Sequence, residues 1–198
     1  MPAEYRALVY VAGVLGLRWS EVAGLRVRHV DFLRRTLQVS ETISEVDGVM
    51  RREDVKTPAS MATLSVPATV IEMLSQHLAN QGPTDPDDLL FQAPGGGPLR
   101  ATNFRERVWR PSVAAAGLEG LTFHGLRHSA AGLMIELGVH PKVIQQRMRH
   151  ASIRTTMDVY GSVLPGVDEA VTARLQELLT EPQDEPTSAS DTDASTDL

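Results

Sequence analysis

The chain has 198 residues, of which 42% are hydrophobic and 22% charged, a balance that suits one folded domain or one domain with a tail. It contains no cysteine, which excludes disulfides, thiolate metal sites, cysteine nucleophiles and thiol redox chemistry. The formal net charge is −6, which taken whole argues against a polyanionic partner, because phosphate binding depends on Lys and Arg.

Position reverses that reading. Residues 1–180 hold all 19 Lys and Arg with 19 of the 25 Asp and Glu, so this stretch is neutral, and the whole excess of acid lies in Glu181–Leu198. Between residues 100 and 154, nine bases stand against three acids. A basic segment inside an acidic chain is a candidate for binding phosphates. No apolar run approaches the roughly 20 residues of a membrane span, and the first residues lack the basic region of a signal peptide.

In chain order, Glu4–Leu15 has helical apolar spacing and Gly16 is a plausible stop. Ser20 is read as the cap of a second helix. Three β-rich runs follow, Thr36–Ser44, Val49–Lys56 and Ala62–Val66; with Asp47-Gly48 as a hairpin turn they predict a small three-stranded antiparallel sheet. Pro67 opens a helix to about Asn80. Gly82–Arg100 reads as loop with a short extended Leu89–Phe91. Its Gly95-Gly96-Gly97 lacks the following Lys-Ser/Thr of a phosphate loop and is better read as a turn before Pro98. Helices are predicted at 101–116, 124–137, 141–148, 152–160 and 167–179. Residues 181–198, almost without large apolar side chains, read as a disordered acidic tail. The fold class is thus α+β and mostly helical.

Four short motifs could carry chemistry. His124 and Arg127, three apart at a helix start, share a face where an anion could sit, although two solvated polar residues would show the same pattern. His124 and His128 are spaced for a metal, but a zincin's glutamate and any thiolate are missing, so no metal is assigned. His150 is followed by Ser152, the apparent cap of a helix that delivers Tyr160. Upstream, Arg18 lies between two apolar helices with Glu21 one turn on, and Lys56 stands at a turn. Each motif alone also fits an ordinary packing or surface role.

Taken together and in order, Gly-Leu-Arg with an acid three residues on (Arg18, Glu21), Lys56 before Thr57, His124-x-x-Arg127, His150 and Tyr160 resemble the catalytic domain of the tyrosine recombinases, the phage integrase family. The resemblance covers about Tyr5 to Leu179. It implies a domain over 1–180 that cuts and rejoins DNA strands at specific sites through a covalent 3′-phosphotyrosyl bond, without metal, ATP or other cofactor. In the implied roles, Arg18 and Arg127 clamp the phosphate, His124 and His150 assist, and Tyr160 attacks. His124 is the candidate base, Lys56 protonates the departing 5′ oxygen, and Glu21 orients Arg18 or a neighbour. Arg105, Arg107, Arg110, Arg147 and Arg154 are candidate contacts to the DNA backbone. Partners would be double-stranded DNA and further protomers in a tetrameric synaptic complex, with no membrane, in the cytoplasm of a bacterium or phage host.

This chain departs from the usual family pattern at Met148-Arg149-His150, where relatives often have Leu-Gly-His, and at Ser162, where a histidine is frequent. The family's amino-terminal core-binding domain is expected to be absent. That absence leaves a second reading, a truncated DNA-binding remnant or accessory subunit; a third, a type IB topoisomerase, shares the chemistry, although such chains usually carry other domains. The remaining histidines, His29, His77, His128 and His140, read as structural or surface groups. Trp19, Leu25, Val30, Leu126, Leu133, Ile135 and Ile144 read as core.

Overall fold

A computed structural model describes residues 1–54, 61–81, 84–163 and 167–180. Two compact units are distinguished, Met1–Val163 and Leu164–Leu198. Of the second unit the described part is one helix, α9 (Val167–Thr180), with an Arg174–Glu177 ion pair at 2.6 Å along it. The predicted acidic tail, 181–198, lies outside the described residues.

The first unit opens with a 3-10 turn, Ala3–Tyr5, and helix α1 (Arg6–Leu15), whose apolar stripe buries Leu8, Val11 and Leu15 completely. Each such side chain contributes roughly 1.5–3 kcal/mol relative to exposure, so this helix anchors the larger core. Gly16 ends it in the left-handed region, φ 66°, and the Leu17 amide closes back on the Ala12 carbonyl at 3.2 Å. Helix α2 (Trp19–Ala23) then starts two residues earlier than a cap at Ser20 would place it. The cap position belongs to Arg18, because the Glu21 carboxylate reaches back to accept the Arg18 amide at 2.7 Å and removes the need for a serine cap.

The predicted three-stranded antiparallel sheet is present, with different membership. Strands β1 (Val30–Asp31), β2 (Thr36–Val39) and β5 (Ala62–Ser65) form it in the order β1-β2-β5, with Leu37 opposite both Val30 and Leu64. The run read as one strand over 36–44 breaks at Ser40. Beyond it β3 (Glu41–Val46) pairs with β4 (Val49–Asp54) as a separate hairpin, turning at Asp47 (φ 52°) and Gly48 (φ 75°) as the Asp-Gly pair predicts. Glu41 explains the break. Its carboxylate, buried at the head of β3, is held by Arg26 (2.9 Å) and Arg52 (2.8 Å) as well as Arg28, and this cluster pulls the chain out of line with β2. Gly24 allows the close approach, since a Cβ there would meet the Glu41 carbonyl oxygen at 2.9 Å.

Helix α3 (Ala68–Gln81) packs on α1. The loop that follows is held by isolated bridges, Arg26 with Leu89 and Gln92 with Pro98, and the glycine triplet forms a turn there, with the Ala93 amide on the Gly97 carbonyl at 3.0 Å. The helix predicted over 101–116 is α4 (Ala101–Phe104), a π-helical segment (Arg105–Trp109) and α5 (Arg110–Ala115) in sequence. Pro111, which lacks an N–H, lies just past the widened turn.

Helices α6 (Phe123–Glu136), α7 (Pro141–Met148) and α8 (Ile153–Val163) enclose a second, smaller core of Ala130, Ala131, Ile135, Ile144, Met148 and Val159. Leu133, read as core, is instead exposed, because the inward face of α6 is filled by alanines and Ile135. Among the described residues no helix is long and apolar enough to cross a membrane.

Candidate active site

Four elements meet where the α1–α2 turn approaches the ends of α6, α7 and α8. Thr122 caps α6, its hydroxyl accepting the Gly125 amide at 3.0 Å, and this fixes the first turn in which His124 projects and the second in which Arg127 points inward.

Arg127 is 2% exposed, and its guanidinium donates to two main-chain carbonyls, Gly16 on the α1–α2 turn and Met148 at the end of α7. One side chain therefore ties three elements together. Burial, with nearby Arg18 adding to it, pushes its pKa down to about 10, which leaves it charged at neutral pH. Arg18 is more open, with 42% of its side chain exposed. Its Nη1 donates to Glu21 Oε1 at 2.9 Å and its Nη2 to the Arg149 carbonyl at 3.1 Å. Burial would raise the Glu21 carboxyl, but the guanidinium of Arg149, and then that of Arg18, hold it below the usual range.

His150 follows the left-handed Arg149 and places its Nδ1 2.9 Å from the Thr156 hydroxyl, which is wholly buried in α8. Burial and the positive charges of Arg127 and Arg18 push its pKa down to about 4, so the ring is neutral at physiological pH. His124 is displaced in the same direction by burial, then by His128, Arg127 and Arg18. The His124 and His128 rings meet edge to face at 5.0 Å, and among the described residues no group of three metal-ligating side chains forms.

Tyr160 stands one turn beyond Thr156 on α8, so the helix face that meets His150 also carries the phenol. Its hydroxyl donates to the Val139 carbonyl in the α6–α7 connection at 2.6 Å. Ser152 behaves as the predicted cap of α8, its hydroxyl accepting the Arg154 amide at 3.2 Å.

Arg18, Glu21, His124, Arg127 and His150 are thus brought together, with Tyr160 on the adjoining helix face. Lys56 lies outside the described residues. Of the arginines read as DNA contacts, Arg105 and Arg110 are exposed and share Glu106 at 2.9 and 2.6 Å, while Arg107 and Arg154 are exposed. Arg147 instead donates to the Ser65 carbonyl at 3.1 Å and links α7 to the sheet. His29, His77 and His140 have structural partners, respectively the Arg26 amide, the Leu90 carbonyl and the Lys142 amide.

Sequence reasoning passes over Thr156 and the role of Arg149. Thr156 sits four before Tyr160 in a run of small polar residues that gives no hint which of them faces inward. Arg149 stood out as an added cation, but nothing in its neighbours tells that its side chain turns back to Glu21.

This architecture is that of tyrosine recombinase catalytic domains. It superposes on the Tn1549 transposon integrase, solved in complex with transposon right end DNA, with a TM-score of 0.74 over 89% of this chain and 59% of that one, at 22% identity. Among curated proteins, the integrase of Staphylococcus phage L54a is 26% identical over 89% of this chain and 54% of its own length. A XerC-like tyrosine recombinase of Caldanaerobacter subterraneus is 27% identical over 81% of this chain and 46% of its own. The chain belongs to the phage integrase family, whose profile matches residues 1–165. It spans about half the length of the curated relatives it matches.

Proposed function

We propose that this chain carries the catalytic part of a site-specific DNA recombinase, which cuts one strand and rejoins it through a 3′-phosphotyrosyl intermediate. The observation that carries the reading is the pair of guanidiniums, Arg18 and Arg127, fixed by Glu21 and by main-chain carbonyls of the α1–α2 turn and the end of α7, beside His124 and His150. Family membership and the DNA complex of the Tn1549 integrase support double-stranded DNA as the substrate.

Attack on a phosphodiester builds negative charge on the two non-bridging oxygens, and preorganised cations stabilise that charge most where no solvent must reorganise. Arg18 and Arg127 fill this role, since guanidinium forks match phosphate geometry and keep their charge. The Tyr160 oxygen bonds to phosphorus, the P–O5′ bond breaks, the phenolic proton passes to neutral His124, and Lys56 protonates the departing 5′ oxygen. His150, with Nδ1 tied to Thr156, offers Nε2 to a phosphate oxygen. Rejoining reverses these steps with a 5′ hydroxyl as nucleophile. Because the phosphotyrosyl bond keeps the energy of the broken linkage, the cycle requires neither ATP nor a metal. Paired exchange of strands calls for several protomers on DNA, a tetramer in the simplest arrangement.

The test uses attachment-site DNA nicked beside the cleavage position, which traps the covalent species. With EDTA present, the wild-type chain forms an adduct stable on a denaturing gel and Tyr160→Phe forms none. An adduct in that variant refutes the nucleophile, and no adduct with either chain favours the remnant reading.

A further inference from the structure

The C-terminal residue that closes α7 is Arg149, with φ 54° and ψ 45°, a left-handed conformation that an arginine adopts at a cost and that glycine adopts freely. Its long side chain does not reach for solvent: only 5% of it is exposed. Nη2 donates to Glu21 Oε2 at 2.6 Å, Nε lies 3.3 Å from Oε1, and Nη1 donates to the Arg147 carbonyl at 3.1 Å. Its own carbonyl accepts Arg18 Nη2 at 3.1 Å. Both Glu21 oxygens are therefore shared between two arginines, Oε2 by the Arg18 amide and Arg149, and Oε1 by the Arg18 and Arg149 guanidiniums.

We propose that Arg149 is a positioning residue for Arg18, acting through Glu21 with its side chain and directly with its carbonyl. A buried carboxylate alone beside Arg18 fixes the guanidinium but also cancels its charge. A second guanidinium on the same carboxylate removes that cancellation, so Arg18 is held in place while the trio keeps a net positive charge. Two contacts from one residue also fix the direction of the Arg18 fork, with Nη1 on Glu21 and Nη2 on the Arg149 carbonyl. All three guanidinium nitrogens of Arg149 are engaged, by Glu21 and by the Arg147 carbonyl, which separates its role from that of the exposed basic residues. The inference rests on the reading that Arg18 meets the scissile phosphate.

The experiment compares Arg149→Gly, Arg149→Lys and Glu21→Gln, and the double variant Glu21→Gln/Arg149→Gly, in single-turnover cleavage of the nicked substrate and in equilibrium DNA binding. Glycine suits the backbone and retains the carbonyl, so the Arg149→Gly chain keeps its fold, checked by circular dichroism. The proposal expects Arg149→Gly to slow cleavage about tenfold or more, with DNA affinity changed less than about twofold. Lysine, which can still place a charge on Glu21, recovers part of the rate and covers the case of a glycine variant that folds poorly. In the Glu21→Gln background, Arg149→Gly has little further effect, because the path through the carboxylate is already cut. Wild-type cleavage rate in Arg149→Gly, losses that multiply in the double variant, or an affinity loss equal to the rate loss would each overturn the proposal. Absence of any adduct with the wild-type chain would instead refute the underlying reading of the site.

Discussion

The Tyr160 hydroxyl donates its proton to the main-chain carbonyl of Val139 at 2.6 Å. A phenol engaged in this way must leave that carbonyl before its oxygen can attack phosphorus, so the α6–α7 connection bears directly on when the proposed nucleophile is free. The contact also has a stability consequence. Tyr160→Phe keeps the ring but loses the bond and leaves the Val139 carbonyl without this donor, and chemical denaturation should show a loss of about 1 kcal/mol. Unchanged stability would mean that the hydroxyl is already released in the DNA-free protein.

The two arginines of the proposed clamp are built differently and should fail differently. Removing Arg127 strips donors from two carbonyls, Gly16 and Met148, at the junction of three elements. Each unsatisfied buried group costs about 1–3 kcal/mol, so Arg127→Ala should lose stability by at least about 2 kcal/mol along with activity. Arg18 is partly open, and its departure leaves Glu21 paired with Arg149. Arg18→Ala should lose less than about 1 kcal/mol in urea titration yet slow cleavage by about 100-fold or more. Comparable stability losses in the two variants would contradict this division of labour.

The sequence made the helices and the order of site residues legible because both leave local marks: apolar spacing, the Asp47-Gly48 turn, the Ser152 cap. The pairing of strands was less legible, since the break at Ser40 depends on Arg26, Arg28 and Arg52 converging on Glu41 from separate segments. The α2 cap was misassigned for a similar reason. Ser20 has the right side chain, but the Glu21 carboxylate reaches back to the Arg18 amide because Arg149, 128 residues away, fixes the carboxylate in place. Long-range charge pairs decide these details, and a local pattern does not contain them.

His150 sets a pH dependence of stability. Its folded pKa, about 4, lies below its ordinary 6.5, so the unfolded chain binds a proton that the folded site refuses. Stability is then full above pH 6.5 and falls as pH drops toward 4. His29, His77 and His124 are displaced in the same direction and add to the slope. Glu21 and Glu41 lie below the ordinary 4.5, so their contribution is lost only at lower pH. Denaturation midpoints between pH 4.5 and 6.5 should therefore fall less steeply in His150→Asn than in the wild type, and identical slopes would contradict the assignment.

Thr156 separates the orientation of His150 from its presence. With the Thr156 hydroxyl on Nδ1, the ring is held with Nε2 turned away from α8. Thr156→Val keeps shape and burial but removes that partner, and loss of one hydrogen bond of about 1 kcal/mol predicts cleavage slowed by about five- to tenfold. Thr156→Ser should restore the rate, because it returns the hydroxyl at some cost in packing. Equal rates for the valine and serine variants would show that the contact does not orient the ring.

Gly16 connects the backbone to the site most directly. It has φ 66°, it accepts a hydrogen bond from Arg127, and a Cβ on it would come within 2.5 Å of the Met148 sulfur. Met148 is fully buried in the second core, and its carbonyl takes the other Arg127 bond. An alanine at this position therefore strains the left-handed turn and pushes on the residue that holds the far side of the same guanidinium. Left-handed strain of about 1 kcal/mol and overpacking of about 1–3 kcal/mol act together. Gly16→Ala should lower stability by about 2 kcal/mol or more and depress cleavage beyond what the population of folded protein accounts for. Gly16→Ala combined with Met148→Ala relieves the clash and leaves the strain, so the double variant should regain part of the cleavage rate per folded molecule. A double variant no faster than Gly16→Ala, measured by single-turnover adduct formation at equal folded fraction, would show that the turn does not act on the site through Met148.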